Sequence, residues 1–281
     1  MQDFAGKTAL VTGGSRGIGY ATAAELARRG ANVVITARGG TRLEQSRAKL
    51  EAAGARVATV SGDVATWADA QHMVDTALSR FGGLDILVNN AGVSMRGMFR
   101  DLSPETCAQV ININLMGSVY LTRAAVEPIV KARGNIVFIS SIAGLFGLPG
   151  ASVYCASKGA LSGLAESLHL ELGPLGVHVG VVNVGYTEHD PEKRILAADG
   201  TPVLPGRPGH NTQAEAANQI VTLISKRRRQ AVLTPIGKLG GMVHRLSPGF
   251  VAWAIGKAQA SELAIFKSFY GDDEGEKHGI R

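Results

Sequence analysis

An α/β fold, a doubly wound parallel sheet of about seven strands with helices on both faces, is what this chain predicts, on three observations. Short apolar runs of the kind that form strands buried on both faces recur along it. Stretches with helical periodicity and ordinary helix length stand between those runs, giving repeated strand–helix–strand units. No internal repeat or low-complexity linker interrupts the series, so a single sheet is the economical arrangement.

Taken in order, strands are expected over 8–11, 32–36, 56–61, 86–89, 135–140, 177–182 and 231–234. Helices are expected over 17–29, 41–53, 67–81, 104–131, 154–173 and 213–226. Gly30 and Gly54 stand where helix-ending glycines belong. Ser103 followed by Pro104 supplies an N-cap and a first-turn proline for the fourth helix. Residues 134–157 carry no charge and are long enough to span a bilayer. Their glycines, serines and Pro149, with the strand-like run Ile136 to Ile139, predict a buried strand and loop instead. Two stretches break the rhythm. Residues 186–211, rich in Pro, Gly and charge toward their far end, read as a lid or binding loop. Residues 235–281 follow the α/β unit of residues 1–234 as an amphipathic extension. It is broken at Ser247-Pro248-Gly249, and it ends in a polar tail from Gly271.

The first strand runs into Thr12-Gly13-Gly14-Ser15-Arg16-Gly17-Ile18-Gly19, which opens the first helix. Gly13 permits a tight turn, Gly17 a close approach of backbone to a pyrophosphate, and Gly19 close packing of helix on strand. The helix N-terminus offers N–H groups and positive dipole to phosphate. Gly13, Ser15, Arg16, Gly17, Ile18 and Gly19 are therefore expected at a dinucleotide. The second strand ends Ile35-Thr36-Ala37-Arg38, with no acid at Ala37 to hold a ribose 2′-hydroxyl. Arg38 and Arg16 instead suit a 2′-phosphate, which points to NADP(H).

Tyr154 and Lys158 lie four apart, on one face of the expected helix. A phenol beside an ammonium makes a proton-transfer group near neutral pH. The glycine turn, Asn89-Asn90-Ala91-Gly92 and Tyr154-Cys155-Ala156-Ser157-Lys158 together resemble the short-chain dehydrogenase/reductase family, in its single-domain branch, over residues 6–234. That resemblance implies a Rossmann-like fold. It implies that Asp63 and Val64 hold the adenine, and that Asn90, Ala91 and Gly92 leave room for the cofactor. Asn114, preferred over Asn112, helps position Lys158 through water. Ser141, rather than Ser140, hydrogen-bonds the substrate oxygen and the phenol, so Ser141 and Tyr154 also bind substrate. Lys158 lowers the pKa of Tyr154 and holds the nicotinamide ribose. The implied reaction is NADPH-dependent reduction of a carbonyl, hydride coming from NADPH and the proton from Tyr154. A hydrophobic or lipid-like substrate is expected. The reverse alcohol oxidation and a non-catalytic NADP(H)-binding scaffold are the alternatives. A homodimer or homotetramer through the helices over 104–131 and 154–173 is implied by the resemblance alone.

The chain departs from the family pattern after the sixth strand. It reads Asn183-Val184-Gly185-Tyr186-Thr187-Glu188-His189, with Val184 in place of proline and His189 where the cofactor-binding threonine usually falls. Gly185 and Thr187 are assigned to the cofactor in their stead. The tail is the second departure, and its apolar, basic character suggests packing on a partner subunit or over the substrate loop, or peripheral contact with an anionic membrane.

Composition narrows the remaining classes. The chain has 281 residues, 45% of them hydrophobic, 19% charged and 5% aromatic, with formal charge +6. The basic knot Lys226 to Arg229 lacks the interleaved aromatics of a nucleic-acid surface and reads as a solvated helix end. Cys107 and Cys155 form no framework, Cys155 reads as a small packing residue, and the histidines show no metal-ligand pairing, so no metal is expected. The N-terminal residues lack a signal-peptide pattern, which with the two isolated cysteines suggests the cytoplasm.

Overall fold

A computed structural model of the chain describes residues 3–188, 190, 192–205 and 211–260. Nine strands and nine α-helices are found among them. In chain order these are β1 (Thr8–Thr12), α1 (Gly17–Arg28), β2 (Asn32–Ala37), α2 (Gly40–Ala52), β3 (Val57–Ser61), α3 (Trp67–Phe81), β4 (Ile86–Asn89), α4 (Pro104–Ile111) and α5 (Gly117–Ala132). There follow β5 (Asn135–Ser141), α6 (Ser152–Leu172), β6 (His178–Val184), β7 (Ile195–Leu196), β8 (Pro202–Val203), α7 (Gln213–Ser225), β9 (Gln230–Val232), α8 (Pro235–Leu246) and α9 (Pro248–Ala260).

Seven strands form one parallel sheet in the order β3-β2-β1-β4-β5-β6-β9. Alternate residues along each strand feed opposite faces. On β1, Leu10 joins a core with Met73 of α3, Leu121 of α5 and Leu161 of α6. Its neighbours Ala9 and Val11 join a second core with Leu26 of α1, Leu43 of α2 and Ile220 of α7. Each face is thus covered by three helices, and the strands read as continuous apolar runs because both their faces are dry. Phe138 on β5 is among the largest fully buried side chains.

The strand order reverses between β1 and β4. Connections leaving them diverge to opposite sides and open a crevice beyond the strands' carboxyl ends. The glycine turn after β1 and Asn90 to Gly92 after β4 are the two walls of that crevice.

One expectation is corrected. The helix anticipated over 104–131 is divided by a π-helical turn, Asn112–Met116, since the widened turn carries Asn114 inward. The stretch read as a lid or binding loop contains the antiparallel pair β7–β8. Leu196 also bridges Met95, with backbone hydrogen bonds from Arg96 N to Leu196 O (2.8 Å) and from Leu196 N to Ser94 O (3.0 Å). The tail forms two helices, with Thr234 capping α8 through its hydroxyl and the break falling at Ser247, as expected. The polar tail from Gly271 lies outside the described residues.

Candidate active site

At Gly13 and Gly19 the glycine turn is built by contacts that leave no room for larger residues. Gly13 has φ +64°, and a Cβ on Gly19 would fall 2.3 Å from the Gly13 carbonyl oxygen. Around Gly17 a Cβ would meet nothing within 4 Å; this is open space beside the backbone. Arg16 occupies the N-cap of α1 without a side-chain hydrogen bond to the first turn. Gly17, Ile18 and Gly19 therefore begin a helix whose leading N–H groups have no side-chain acceptor there, and such an end fits an anion. Thr12, which the sequence reading passed over, fastens the two walls together. Its hydroxyl accepts from Asn90 N and Ala91 N, both at 2.9 Å, while Asn90 Nδ2 donates to Thr12 O at 2.8 Å. Asn90 is consequently a brace, and Ala91 and Gly92 continue the wall.

Around Gly92 the second half of the site converges. A Cβ there would lie 3.1 Å from Asn114 Oδ1 and 3.3 Å from Lys158 Nζ. Asn114 is fully buried. Its Oδ1 accepts from Val93 N at 2.8 Å, and its Nδ2 donates to Val93 O and to Ser157 Oγ, each at 3.0 Å. Ser157 Oγ donates in turn to Tyr154 O at 2.8 Å. These direct bonds tie the β4 loop, the π turn and the Tyr154 helix into one unit. Ser157 was not singled out from sequence, although it sits inside the Tyr154–Lys158 motif.

Ser141 ends β5, and its hydroxyl accepts from Ala143 N at 3.2 Å and hydrogen-bonds the Tyr154 phenol. The Ser140 hydroxyl instead donates to Lys158 O at 2.8 Å. Burial pushes the Tyr154 phenol up to about 12, against the opposing effect of the Ser141 bond. Burial, and then the charge of Lys193, hold Lys158 down at about 8. The expectation that Lys158 lowers the phenol pKa is therefore not met in this structure. Its ammonium donates to Ile139 O at 2.8 Å, and desolvation of the phenol dominates. At neutral pH such a phenol holds its proton.

The remaining assigned residues fall out differently. Asp63 Oδ1 accepts from Ala65 N at 2.9 Å, a local turn, and Val64 packs against Gly117. Gly185 presses on Thr234, while the Thr187 hydroxyl donates to Gly185 O at 3.3 Å. His189 lies outside the described residues. Arg38 is exposed. Arg16 donates to Glu192 O at 3.2 Å, and Arg42, on the first turn of α2, pairs with Asp190 and Glu192. Arg16 and Arg42 share a cavity of about 460 Å³ with Ser15, Gly17 and the two lid acids. Arg42 escaped the sequence reading because its partners lie some 150 residues away. Burial opposes ionisation of Asp190, but the Glu192 N–H and Arg42 hold its carboxyl below the usual range.

Residues 7–199 match the family model of the short chain dehydrogenases. The chain is 41% identical over 187 residues to an 11-beta-hydroxysteroid dehydrogenase 1A of Arabidopsis thaliana, a match taking in 66% of this chain and 53% of that protein. It thus spans about half the length of that relative. A ketoacyl reductase of Nostoc, HetN, is 32% identical over 234 residues, covering 83% of this chain and 80% of the relative. Among solved structures, a short-chain dehydrogenase/reductase from Burkholderia phymatum in complex with NAD superposes with TM-score 0.79 at 27% identity, covering 89% of this chain and 96% of that one.

Proposed function

Because the chain belongs to the short-chain dehydrogenase family and is an oxidoreductase of CH–OH or C=O groups, we propose that it is an NADPH-dependent reductase of a hydrophobic, lipid-like ketone. One observation carries the catalytic reading: a protonated phenol, Tyr154, hydrogen-bonded to Ser141 with Lys158 one helical turn away, beside a turn shaped for a dinucleotide. NADPH, when bound, supplies the hydride. Ser141 holds the carbonyl oxygen of the substrate, and the Tyr154 hydroxyl donates its proton to that oxygen as negative charge develops. Lys158 steadies the ribose. Asn114, through Ser157, fixes the start of the Tyr154 turn.

The choice of NADPH over NADH rests on Arg16 and Arg38 and on the missing acid at Ala37. An apolar ketone is supported by Met95, Val110 and Leu196, which pack with Val153 and Tyr154 beneath the lid, and by the steroid and ketoacyl relatives. The remaining parts of the reading are a cytoplasmic home, a homodimer or homotetramer through α5 and α6, and peripheral membrane contact by the C-terminal extension. The test is oxidation of NADPH and of NADH with a panel of ketones, wild type beside Tyr154→Phe. Turnover with NADPH should fall at least a hundredfold in the variant, the usual worth of a general acid, while NADPH binding persists. Undiminished turnover refutes the proton donor, and a preference for NADH refutes the arginine argument.

A further inference from the structure

Helix α8 is built the wrong way round for a helix that packs only on its own chain. Its inner face is glycine: a Cβ on Gly237 would fall 2.6 Å from Ile142 Cγ2, one on Gly240 3.1 Å from Phe146 Cε1, and one on Gly241 3.1 Å from Leu145 Cδ1. Its large apolar residues point outward. Ile236 is 71% exposed, Leu239 59%, Met242 57% and Leu246 82%. Beyond the Ser247 break the patch continues with Phe250 and Trp253, whose ring centroids are 5.8 Å apart. A contiguous apolar face of this kind marks a surface that something else covers.

Charge selects what covers it. Residues 216–261 contain no aspartate or glutamate, yet they hold the basic run Lys226 to Arg229 and then Lys238, Arg245 and Lys257, all exposed. A second copy docking by a twofold axis would set this patch against itself, cation facing cation, with no carboxylate in the segment to pair with them. An anionic bilayer offers both partners at once, acyl chains for the apolar face and headgroups for the cations. Among the described residues no helix is long and apolar enough to cross a membrane, so the helices would lie in the interface.

We infer that the outer faces of α8 and α9 dock in the plane of an anionic lipid surface and hold the active site beside it, so that the ketone arrives from the bilayer. The inner glycines set α8 directly on residues 142–146, the segment leaving Ser141, which places the lipid surface about one helix diameter, roughly 10 Å, from that segment. The docking half stands by itself; the delivery half rests on the carbonyl-reduction reading.

The experiment is co-sedimentation of the full chain with phosphatidylcholine vesicles, with and without phosphatidylserine, alongside NADPH oxidation with a water-soluble ketone. Wild type should pellet with phosphatidylserine vesicles and far less with phosphatidylcholine alone. Lys238→Gln and Lys257→Gln should each weaken partition about fivefold at low salt. Leu239→Gln with Leu246→Gln should weaken it more than tenfold, and all these variants should keep wild-type turnover of the soluble ketone. Failure of wild type to pellet, equal pelleting of the variants, or a dimer that the leucine pair dissociates overturns the docking. Pelleting without activity on any ketone instead overturns the catalytic reading and leaves the docking standing.

Discussion

Replacing Gly19 by Ala puts one methyl group where two polar atoms already stand, the Gly13 carbonyl oxygen at 2.3 Å and Asn90 Nδ2 at 2.4 Å. Both distances are roughly 1 Å or more short of van der Waals contact. Neither neighbour yields cheaply. The oxygen is backbone of the glycine turn, and Asn90 is held by Thr12. Helix α1 cannot back away without lifting Ala23 and Leu26, both fully buried, off the sheet. Overpacking costs about 1–3 kcal/mol, and two simultaneous clashes put this site at the upper end. Alanine's helical preference over glycine returns up to about 1 kcal/mol, leaving a net loss of about 2 kcal/mol. For a chain of this size that lowers Tm by roughly 4–8 °C. The same substitution at Gly163 in α6, where a Cβ meets nothing within 4 Å, should raise stability by about 0.5–1 kcal/mol. Differential scanning calorimetry of the two variants against wild type reads both signs. A Gly19→Ala protein with unchanged or higher Tm would refute the steric account of the turn.

Two further outcomes follow from the site. Arg42→Gln removes the partner of Asp190 and Glu192, and with about 0.5–1 kcal/mol of pairing lost trypsin should cut after Lys193 or Arg194 some two- to fivefold faster; an unchanged rate would mean that the pair does not hold the lid. Stability should also depend on alkaline pH. Lys158, near 8 in the fold against an ordinary 10.5, carries fewer protons folded than unfolded between those values, so stability rises with pH there. Tyr154, raised from 10.0 to about 12, carries more protons when folded, so its contribution is lost as pH climbs through that window. Urea midpoints should therefore increase from about pH 8 to about pH 10 in wild type and stay level in Lys158→Met; identical profiles would contradict the buried charge.

Much of the site was legible because its signals are local. The glycine spacing, the four-residue step from Tyr154 to Lys158 and the apolar runs each report on a turn, a helix face or a strand, and those depend on neighbours in sequence. What escaped was long-range pairing. Asn114 was read through its resemblance, and nothing local announces its three direct hydrogen bonds to residues at separations of 21 and 43. Thr12 and Ser157 lay inside quoted motifs, yet nothing local marks a hydroxyl as the brace between two strand ends.

By itself, then, the sequence determined the parallel sheet with helices on both faces and marked Tyr154 and Lys158 as sharing one helix face, since periodicity and spacing act over one or two helical turns. Only the tertiary structure decided the direction of each charge and each face. Burial raises Tyr154 and lowers Lys158, where exposure to water would leave each near its ordinary value. Arg16 turns to the lid with Arg42, and Arg38 stays at the surface. The glycines of α8 take the inner position because only they fit against Ile142 to Phe146, which leaves the large apolar residues facing out.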